Sequence, residues 1–179
     1  YKESMNFPNL LSVSRVILII PIILLFEINY FLTSCFIFIF ASLTDFLDGY
    51  LARKNNLESD LGGLLDLLAD KLFVSILLIW LSFKFDSYFL LICSILIISR
   101  EISVSYVRLF LVTKSKKISE ISSDFSGKLK TSFQMTGLGF LLISSLNPFY
   151  IYNLSLALIF LSTLLSWYSF YSYLKKWIV

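Results

Sequence analysis

The chain contains no histidine among its 179 residues, and it has only two cysteines. Without histidine it lacks the commonest general base and the commonest transition-metal ligand of proteins. Acid–base chemistry must then use carboxylates, lysine, tyrosine or water, and a metal site must use oxygen ligands, which favour magnesium, manganese or calcium over zinc. Cys35 and Cys93 stand alone in apolar runs, so we expect two buried small side chains rather than a redox or zinc motif.

The chain is also poor in charge, with 15% charged and 58% hydrophobic residues. Soluble domains usually carry about 25% charged and about 45–50% apolar residues. This balance indicates an integral membrane protein, and the length indicates one domain over residues 1–179. The polar first residues lack the pattern of a cleaved secretory signal, so we expect the first apolar run to remain as a membrane span. A net charge of +3 and the absence of a binding motif give no indication of nucleic acid.

Six apolar runs have the length of membrane-spanning helices. A span needs about 20 residues, within a range of about 17–25. The runs are continuous and do not alternate as barrel strands do, so we expect an all-α bundle of six transmembrane helices. They cover approximately residues 10–29, 31–52, 62–83, 87–110, 129–146 and 149–174.

The basic residues between these runs are distributed unequally. Lys84 stands alone at one set of helix ends, whereas the other set carries most of the lysines and arginines. By the positive-inside rule that second set lies in the cytoplasm, and an even number of spans places both termini there too. The basic residues of this set are Lys2, Arg53, Lys54, Lys114, Lys116, Lys117, Lys175 and Lys176.

The most informative segment places four of the twelve acidic residues within one apolar stretch. A charge at mid-membrane costs about 2.5–3.5 kcal/mol or more, so such a cluster needs an explanation. Residues three and four apart share a helix face, so the acids of spans two and three can face each other across one cavity. Either protonation or divalent cations could relieve their repulsion. The segment reads D-x2-D-G-x2-A-R-x8-G-x3-D-x3-D, formed by Asp45, Asp48, Gly49, Ala52, Arg53, Gly62, Asp66 and Asp70.

The small residues and the arginine favour divalent cations. Gly49, Ala52 and Gly62 remove side-chain bulk on the acidic faces, and Arg53 can pair with a phosphate at the membrane boundary. Taken singly, each glycine would be a helix-packing residue and Arg53 a positive-inside anchor. Together they indicate metal ligands, space for a nucleotide and a cation for its phosphate. Four carboxylates could hold two ions about 3.5–4 Å apart.

This pattern resembles the signature of the CDP-alcohol phosphotransferase family at all eight positions. Three further stretches resemble the branch of the family that forms phosphatidylglycerophosphate. They are the segment from Asn6 to Leu11 with Arg15, the Arg100-Glu101-Ile102 element of span four, and the segment from Gly127 to Thr131 before span five.

The resemblance implies transfer of the phosphatidyl group from CDP-diacylglycerol to sn-glycerol 3-phosphate, which gives phosphatidylglycerophosphate and CMP. It implies that Asp45, Asp48 and Asp66 bind two Mg²⁺ or Mn²⁺ ions, and that Asp70 is the general base and a further metal ligand. It also implies a homodimer in the bacterial inner membrane, in contact with membrane lipids, with the active site facing the cytoplasm. The implied CDP site is formed by Asp48, Gly49, Ala52, Arg53 and Gly62.

The phosphate of the acceptor requires cations of its own. We expect Arg100, Arg108 and Lys128 to bind it, with Arg15 and Lys130 as further candidates. Arg100 could instead hold helices together through an ion pair, and the two lysines could anchor span five at the membrane surface. Because adjacent helical residues are rotated by about 100°, Glu101 is expected to be a poor partner for Arg100.

Two alternatives remain at the sequence level. A sister enzyme would use another acceptor, such as inositol phosphate, serine or phosphatidylglycerol. A small ion or proton transporter would use the acids as its pathway, but it predicts acids spread over the membrane depth and broken helices. Here the acids gather at one side, and spans two and three contain no proline.

Overall fold

The computed structural model describes residues 7–55, 60–113, 125–147 and 149–178. These residues form six α-helices and one short 3-10 helix, Ser144–Leu146, with no strand among them, which confirms the all-α prediction. Each helix corresponds to one of the six apolar runs. The helices are α1 (Phe7–Glu27), α2 (Phe31–Asn55), α3 (Asp60–Lys84), α4 (Tyr88–Thr113), α5 (Phe125–Ile143) and α6 (Tyr150–Ile178).

Helices α1 and α3 end in the same way, with one residue in the left-handed conformation. Asn29 follows α1 with φ of 67°, and Asp86 follows α3 with φ of 45°. In each turn the next residue donates a backbone hydrogen bond five residues back, from Tyr30 to Leu25 at 2.8 Å in the first case. This is the Schellman arrangement, which is usually completed by glycine or asparagine. It lets α2 and α4 begin after only three residues.

The helices pack in a closed ring in the order α1, α2, α5, α6, α4, α3 and back to α1. The pair α5 and α6 has the most extensive contact. The ring is filled by fully buried side chains such as Leu77, Leu78 and Leu138. Across it, the rings of Phe38 in α2 and Phe73 in α3 stack with centroids 5.6 Å apart. Helices that are distant in sequence therefore share one core.

One end of the bundle is marked by aromatic rings, and we call it the aromatic end. Phe26 packs edge-on against Phe31 and Trp80, with centroid separations of 4.9 and 5.2 Å. The ring centroids of Phe85 and Tyr152 lie 5.2 Å apart. The end of α1, the start of α2, the end of α3 and the start of α6 therefore meet here. The helices alternate in direction, as short connections between neighbours require.

The outer surface of the bundle is apolar. Large side chains such as Phe36, Phe83 and Leu24 are more than half exposed, whereas soluble proteins rarely expose large continuous apolar patches. Two helical segments, Tyr88–Val107 and Tyr150–Lys175, are long and apolar enough to cross a membrane, and Phe31–Thr44 is a shorter apolar segment. Cys35 and Cys93 are buried free thiols, as predicted.

Candidate active site

Asp70 lies on α3, away from the aromatic end, in the wall of a small polar cavity. The cavity measures about 40 Å³, which is enough for water but far below the roughly 300–1,000 Å³ of a typical ligand pocket. Its described walls therefore form one part of a site rather than a complete substrate pocket. Helices α3, α4 and α5 contribute the lining residues, which are Asp70, Lys71, Val74, Ser75, Ile97, Glu101, Lys130, Thr131 and Gln134.

Five charged side chains meet around this cavity, and we call them the charged cluster: Asp70, Lys71, Arg100, Glu101 and Lys130. Three are cationic and two are anionic, so the cluster carries a formal charge of +1. Lys130 is close enough to Asp70 for an electrostatic attraction. Buried charges are costly unless they are paired, so the opposite charges within the cluster stabilise one another.

Glu101 is at the centre of the charged cluster. Its Oε1 accepts a hydrogen bond from Nζ of Lys130 and another from Nη1 of Arg100 at 2.9 Å. The side chains of Arg100 and Lys130 are only 7% and 12% exposed. These interactions are therefore largely removed from water, where an ion pair has more effect than at a surface.

Lys71 joins α3 to α4 beside the same cavity. Its ammonium donates to the hydroxyl of Ser105 and to the backbone carbonyl of Glu101 at 3.5 Å. The hydroxyl of Ser105 donates to the same carbonyl at 2.7 Å. Lys71, which follows Asp70 in α3, thus connects α3 to Glu101 and Ser105 in α4.

The pairing of Arg100 with Glu101 corrects one sequence prediction. Glu101 was expected to be a poor partner because adjacent residues point about 100° apart on a helix. In the structure both side chains are long enough to close that angle, and the guanidinium is held from the other side by α6. Nε of Arg100 donates to the carbonyl of Ser166 at 3.0 Å, and Nη2 donates to the hydroxyl of Ser169 at 3.4 Å.

The structure separates the candidate ligands of the acceptor phosphate. Lys130 shares the cavity with Asp70, whereas the described contacts of Arg100 are with Glu101 and α6. Arg15 is buried in α1, with 1% exposure. Arg108 in α4 and Lys128 in α5 are helical, but their side chains lie outside the described part of the structure.

Most of the eight-position motif has a described backbone but no described side chains. The residues that precede Asp70 in the motif all lie in α2 or α3, so their prediction as metal and nucleotide ligands remains a prediction. Among the side chains that the structure describes, no group of three or more metal-binding residues is present. The residues concerned are Asp45, Asp48, Gly49, Ala52, Arg53, Gly62 and Asp66.

Glu101 was not among the site residues predicted from the sequence. A helix rule that compares only positions three and four apart could not indicate that its carboxylate lies between Arg100, the adjacent residue, and Lys130 of α5. The available signal was the cost of Arg100 itself, because an arginine within an apolar helix requires an anionic or carbonyl partner. The adjacent glutamate was the nearest acid in the sequence.

The fold and the site define a class of protein: a helical bundle with an apolar outer surface and an aspartate, Asp70, beside buried cations. The model of the CDP-alcohol phosphatidyltransferase family matches residues 5–170, and the chain belongs to this family.

Relatives with one shared name align over most of this chain. Each is called CDP-diacylglycerol–glycerol-3-phosphate 3-phosphatidyltransferase. The protein of Rickettsia typhi is 42% identical over 145 residues, 78% of each chain. That of Rickettsia felis is 36% identical and covers 96% of this chain and 97% of its own. That of Salmonella choleraesuis is 32% identical, with 95% and 93% covered.

Proposed function

We propose that the chain transfers the phosphatidyl group of CDP-diacylglycerol to sn-glycerol 3-phosphate, releasing CMP and forming phosphatidylglycerophosphate. The observation that carries this proposal is its similarity, over nearly the whole chain, to proteins named for that reaction. Asp70 and Lys130 in one cavity support it, because they pair a proton acceptor with a cation for the phosphate of the acceptor.

The reaction requires an oxygen nucleophile and a leaving phosphate. The glycerol hydroxyl oxygen attacks the phosphorus of the phosphatidyl group, a new P–O bond forms, and the P–O bond to CMP breaks. The hydroxyl proton passes to the carboxylate of Asp70, and CMP leaves with the electrons of the broken bond. Lys130, beside Asp70, binds the phosphate of glycerol 3-phosphate and so holds its hydroxyl near the base.

The family is generally dependent on divalent metal ions. We assign Asp45, Asp48, Asp66 and Asp70 to the binding of two Mg²⁺ or Mn²⁺ ions, which supply charge stabilisation to the diphosphate when bound. The chemistry of the donors fits, because four carboxylates and no histidine make an oxygen-only set suited to these ions.

The helix register supports the convergence of these aspartates. The rings of Phe38 and Phe73 stack across the bundle. Asp45 lies seven residues after Phe38 in α2, and Asp66 lies seven residues before Phe73 in α3. Seven residues make about two helical turns, or about 10.5 Å of rise, and return the backbone to nearly the same face. Because α2 and α3 run antiparallel, the step forward from Phe38 and the step back from Phe73 both lead away from the aromatic end. The backbones of Asp45 and Asp66 therefore lie at about the same level of the bundle.

The nucleotide and the remaining cations complete the proposed site. Asp48, Gly49, Ala52, Arg53 and Gly62 would bind the CDP moiety, with the small residues leaving room for the nucleotide and Arg53 pairing with a phosphate. A second group of residues would add positive charge for the acceptor phosphate. This group consists of Arg100, Arg108, Lys128 and Arg15.

The proposed setting is a bacterial inner membrane crossed by all six helices. Lys84 lies at the aromatic end, whereas the motif and most basic residues belong to the opposite end. By the positive-inside rule the aromatic end faces outward, and the site and both termini face the cytoplasm. CDP then arrives from water while the acyl chains stay in lipid. A homodimer is implied by the family resemblance.

The decisive experiment measures CMP release by the purified protein in detergent with CDP-diacylglycerol, Mg²⁺ or Mn²⁺, and a panel of alcohols. We expect release with glycerol 3-phosphate and none with inositol phosphate, serine or phosphatidylglycerol. Chelation of divalent ions should abolish release, and adding them back should restore it. Release with a different alcohol would overturn the proposed acceptor, and no release with any alcohol would overturn the reaction.

A further inference from the structure

The contacts around Glu101 connect α6 to the wall of the cavity that contains Asp70. Ser166 and Ser169 of α6 bind the guanidinium of Arg100, Arg100 binds Oε1 of Glu101, and the same oxygen binds Lys130. Each link is buried or mostly buried. The position of the Lys130 ammonium therefore depends on side chains from α4 and α6 as well as on its own helix.

The backbone of Lys130 is also fixed, but this does not determine where its ammonium lies. The hydroxyl of Ser162 in α6 donates to the carbonyl of Lys130 at 3.0 Å. A lysine side chain nevertheless has four rotatable carbon–carbon bonds and tends to extend toward water. Ordering it costs about 1.5–2 kcal/mol of side-chain entropy, which a specific partner must offset. Glu101 is that partner in this structure.

Glu101 is suited to this task because its carboxylate already has a fixed cationic partner. Arg100 neutralises it within α4, and Arg100 is immobilised by its two contacts to α6. The carboxylate thus needs no rearrangement to receive Lys130. A site in which supporting residues are already in place loses less free energy to ordering when its ligand arrives.

We propose that Glu101 is a positioning residue for the acceptor side of the site: it holds the ammonium of Lys130 beside Asp70, where Lys130 meets the phosphate of the acceptor alcohol. This inference rests on the proposed function. It assigns no contact between Glu101 and substrate. It predicts that loss of the carboxylate weakens binding of the acceptor and leaves binding of CDP-diacylglycerol unchanged.

The test compares Glu101→Gln with a matched control, Glu27→Gln. Glu27 also pairs with a lysine, at 2.5 Å, but the pair is exposed and lies at the aromatic end. We expect Glu101→Gln to raise KM for glycerol 3-phosphate by roughly tenfold or more, as for loss of a hydrogen bond to a charged group. KM for CDP-diacylglycerol should stay within about twofold of wild type in both variants.

A double-mutant cycle separates positioning from a general structural effect. If Glu101 acts through Lys130, Glu101→Gln should have no further effect on KM for the acceptor in a Lys130→Met background. Equal effects in both backgrounds, or an equal rise of KM for both substrates, would overturn the proposal. The conservative variant Glu101→Asp keeps the charge and should give a smaller rise than Glu101→Gln.

The design also covers folding and the proposed function itself. If Glu101→Gln does not accumulate, Glu101→Asp and Lys130→Met carry the comparison, and an unchanged acceptor KM in both would reject the positioning role. The wild-type protein is assayed first with the panel of alcohols. If it prefers another phosphorylated alcohol, the proposed acceptor fails, but the same KM comparison with that alcohol still tests Glu101.

Discussion

Asp70 and Lys130 line one cavity, and we have proposed them as the base and the phosphate-binding cation for the acceptor alcohol. We expect Asp70→Asn to lower kcat by about 100-fold or more, because general-base catalysis contributes about 10²–10⁴. Binding of CDP-diacylglycerol should be largely retained. CMP release and equilibrium binding of CDP-diacylglycerol measure the two effects separately.

The control makes the same chemical change at the opposite end of the bundle. Asp86 is exposed and has a positive φ, which asparagine also tolerates. Asp86→Asn should therefore leave both measurements unchanged. Wild-type turnover by Asp70→Asn would refute Asp70 as the base and leave the other three aspartates as metal ligands to be tested separately.

At the scale of single residues, the sequence indicated candidate site residues but not the side chains that contact them. The prediction of Asp70 as a site residue rests on a motif with fixed spacing along α2 and α3, which are consecutive in the sequence. The contact between Lys130 and Glu101 joins α5 to α4, which are not neighbours in the ring of helices, and no spacing rule connects residues 29 positions apart. Such a contact depends on tertiary packing, which local periodicity does not encode.

At the scale of the helices, α5 and α6 form the most extensive contact, and Gly137 lies within it. A Cβ at Gly137 would come within 2.8 Å of Cγ1 of Ile159, which is fully buried, and within 3.4 Å of its backbone nitrogen. We expect Gly137→Ala to destabilise the bundle by about 1–3 kcal/mol, the usual cost of overpacking. Thermal unfolding in one detergent measures the effect as a lower Tm.

Gly139 provides a matched control on the same helix. A Cβ there would lie 3.6 Å from the ring of Phe38, which is an ordinary van der Waals contact. Since alanine favours a helix over glycine by up to about 1 kcal/mol, Gly139→Ala should keep or raise the Tm. Equal losses in both variants would show that contact with Ile159 is not the cause.

The helices themselves could be predicted from the sequence, but their order in the ring could not. Each apolar run is close to the length that a span requires. The helix bounds agree with the predicted runs to within a few residues, except at the C-terminal end of α6 and the N-terminal end of α5. The runs are apolar on most faces, so no single stripe identifies the neighbour of each helix. That information resides in side-chain packing such as the stack of Phe38 on Phe73.

At the scale of the whole molecule, the two ends of the bundle differ in chemistry, and this predicts its orientation. Tyr88 begins α4 at the aromatic end, and Lys175 lies near the end of α6; both are exposed. We expect a membrane-impermeant thiol reagent to label Tyr88→Cys in spheroplasts with an intact inner membrane. Lys175→Cys should react only after that membrane is opened.

The background for this measurement is favourable, because Cys35 and Cys93 are buried within the bundle. The unsubstituted protein should therefore give little labelling under either condition. Labelling of Lys175→Cys before the membrane is opened, with protection of Tyr88→Cys, would reverse the proposed orientation and place the motif outside the cell.

The pairing of Arg100 with Glu101 within one helix also bears on how the protein is made. A ribosome synthesises α4 before α5 and α6, so the guanidinium enters the translocon before Lys130, Ser166 or Ser169 exists. Its adjacent carboxylate is already present, at a separation that closes to 2.9 Å in the finished fold. Each isolated charge would add about 2.5–3.5 kcal/mol to the insertion of the helix. Glu101 can thus lower the cost of inserting Arg100 into lipid before the other partners of Arg100 have been synthesised.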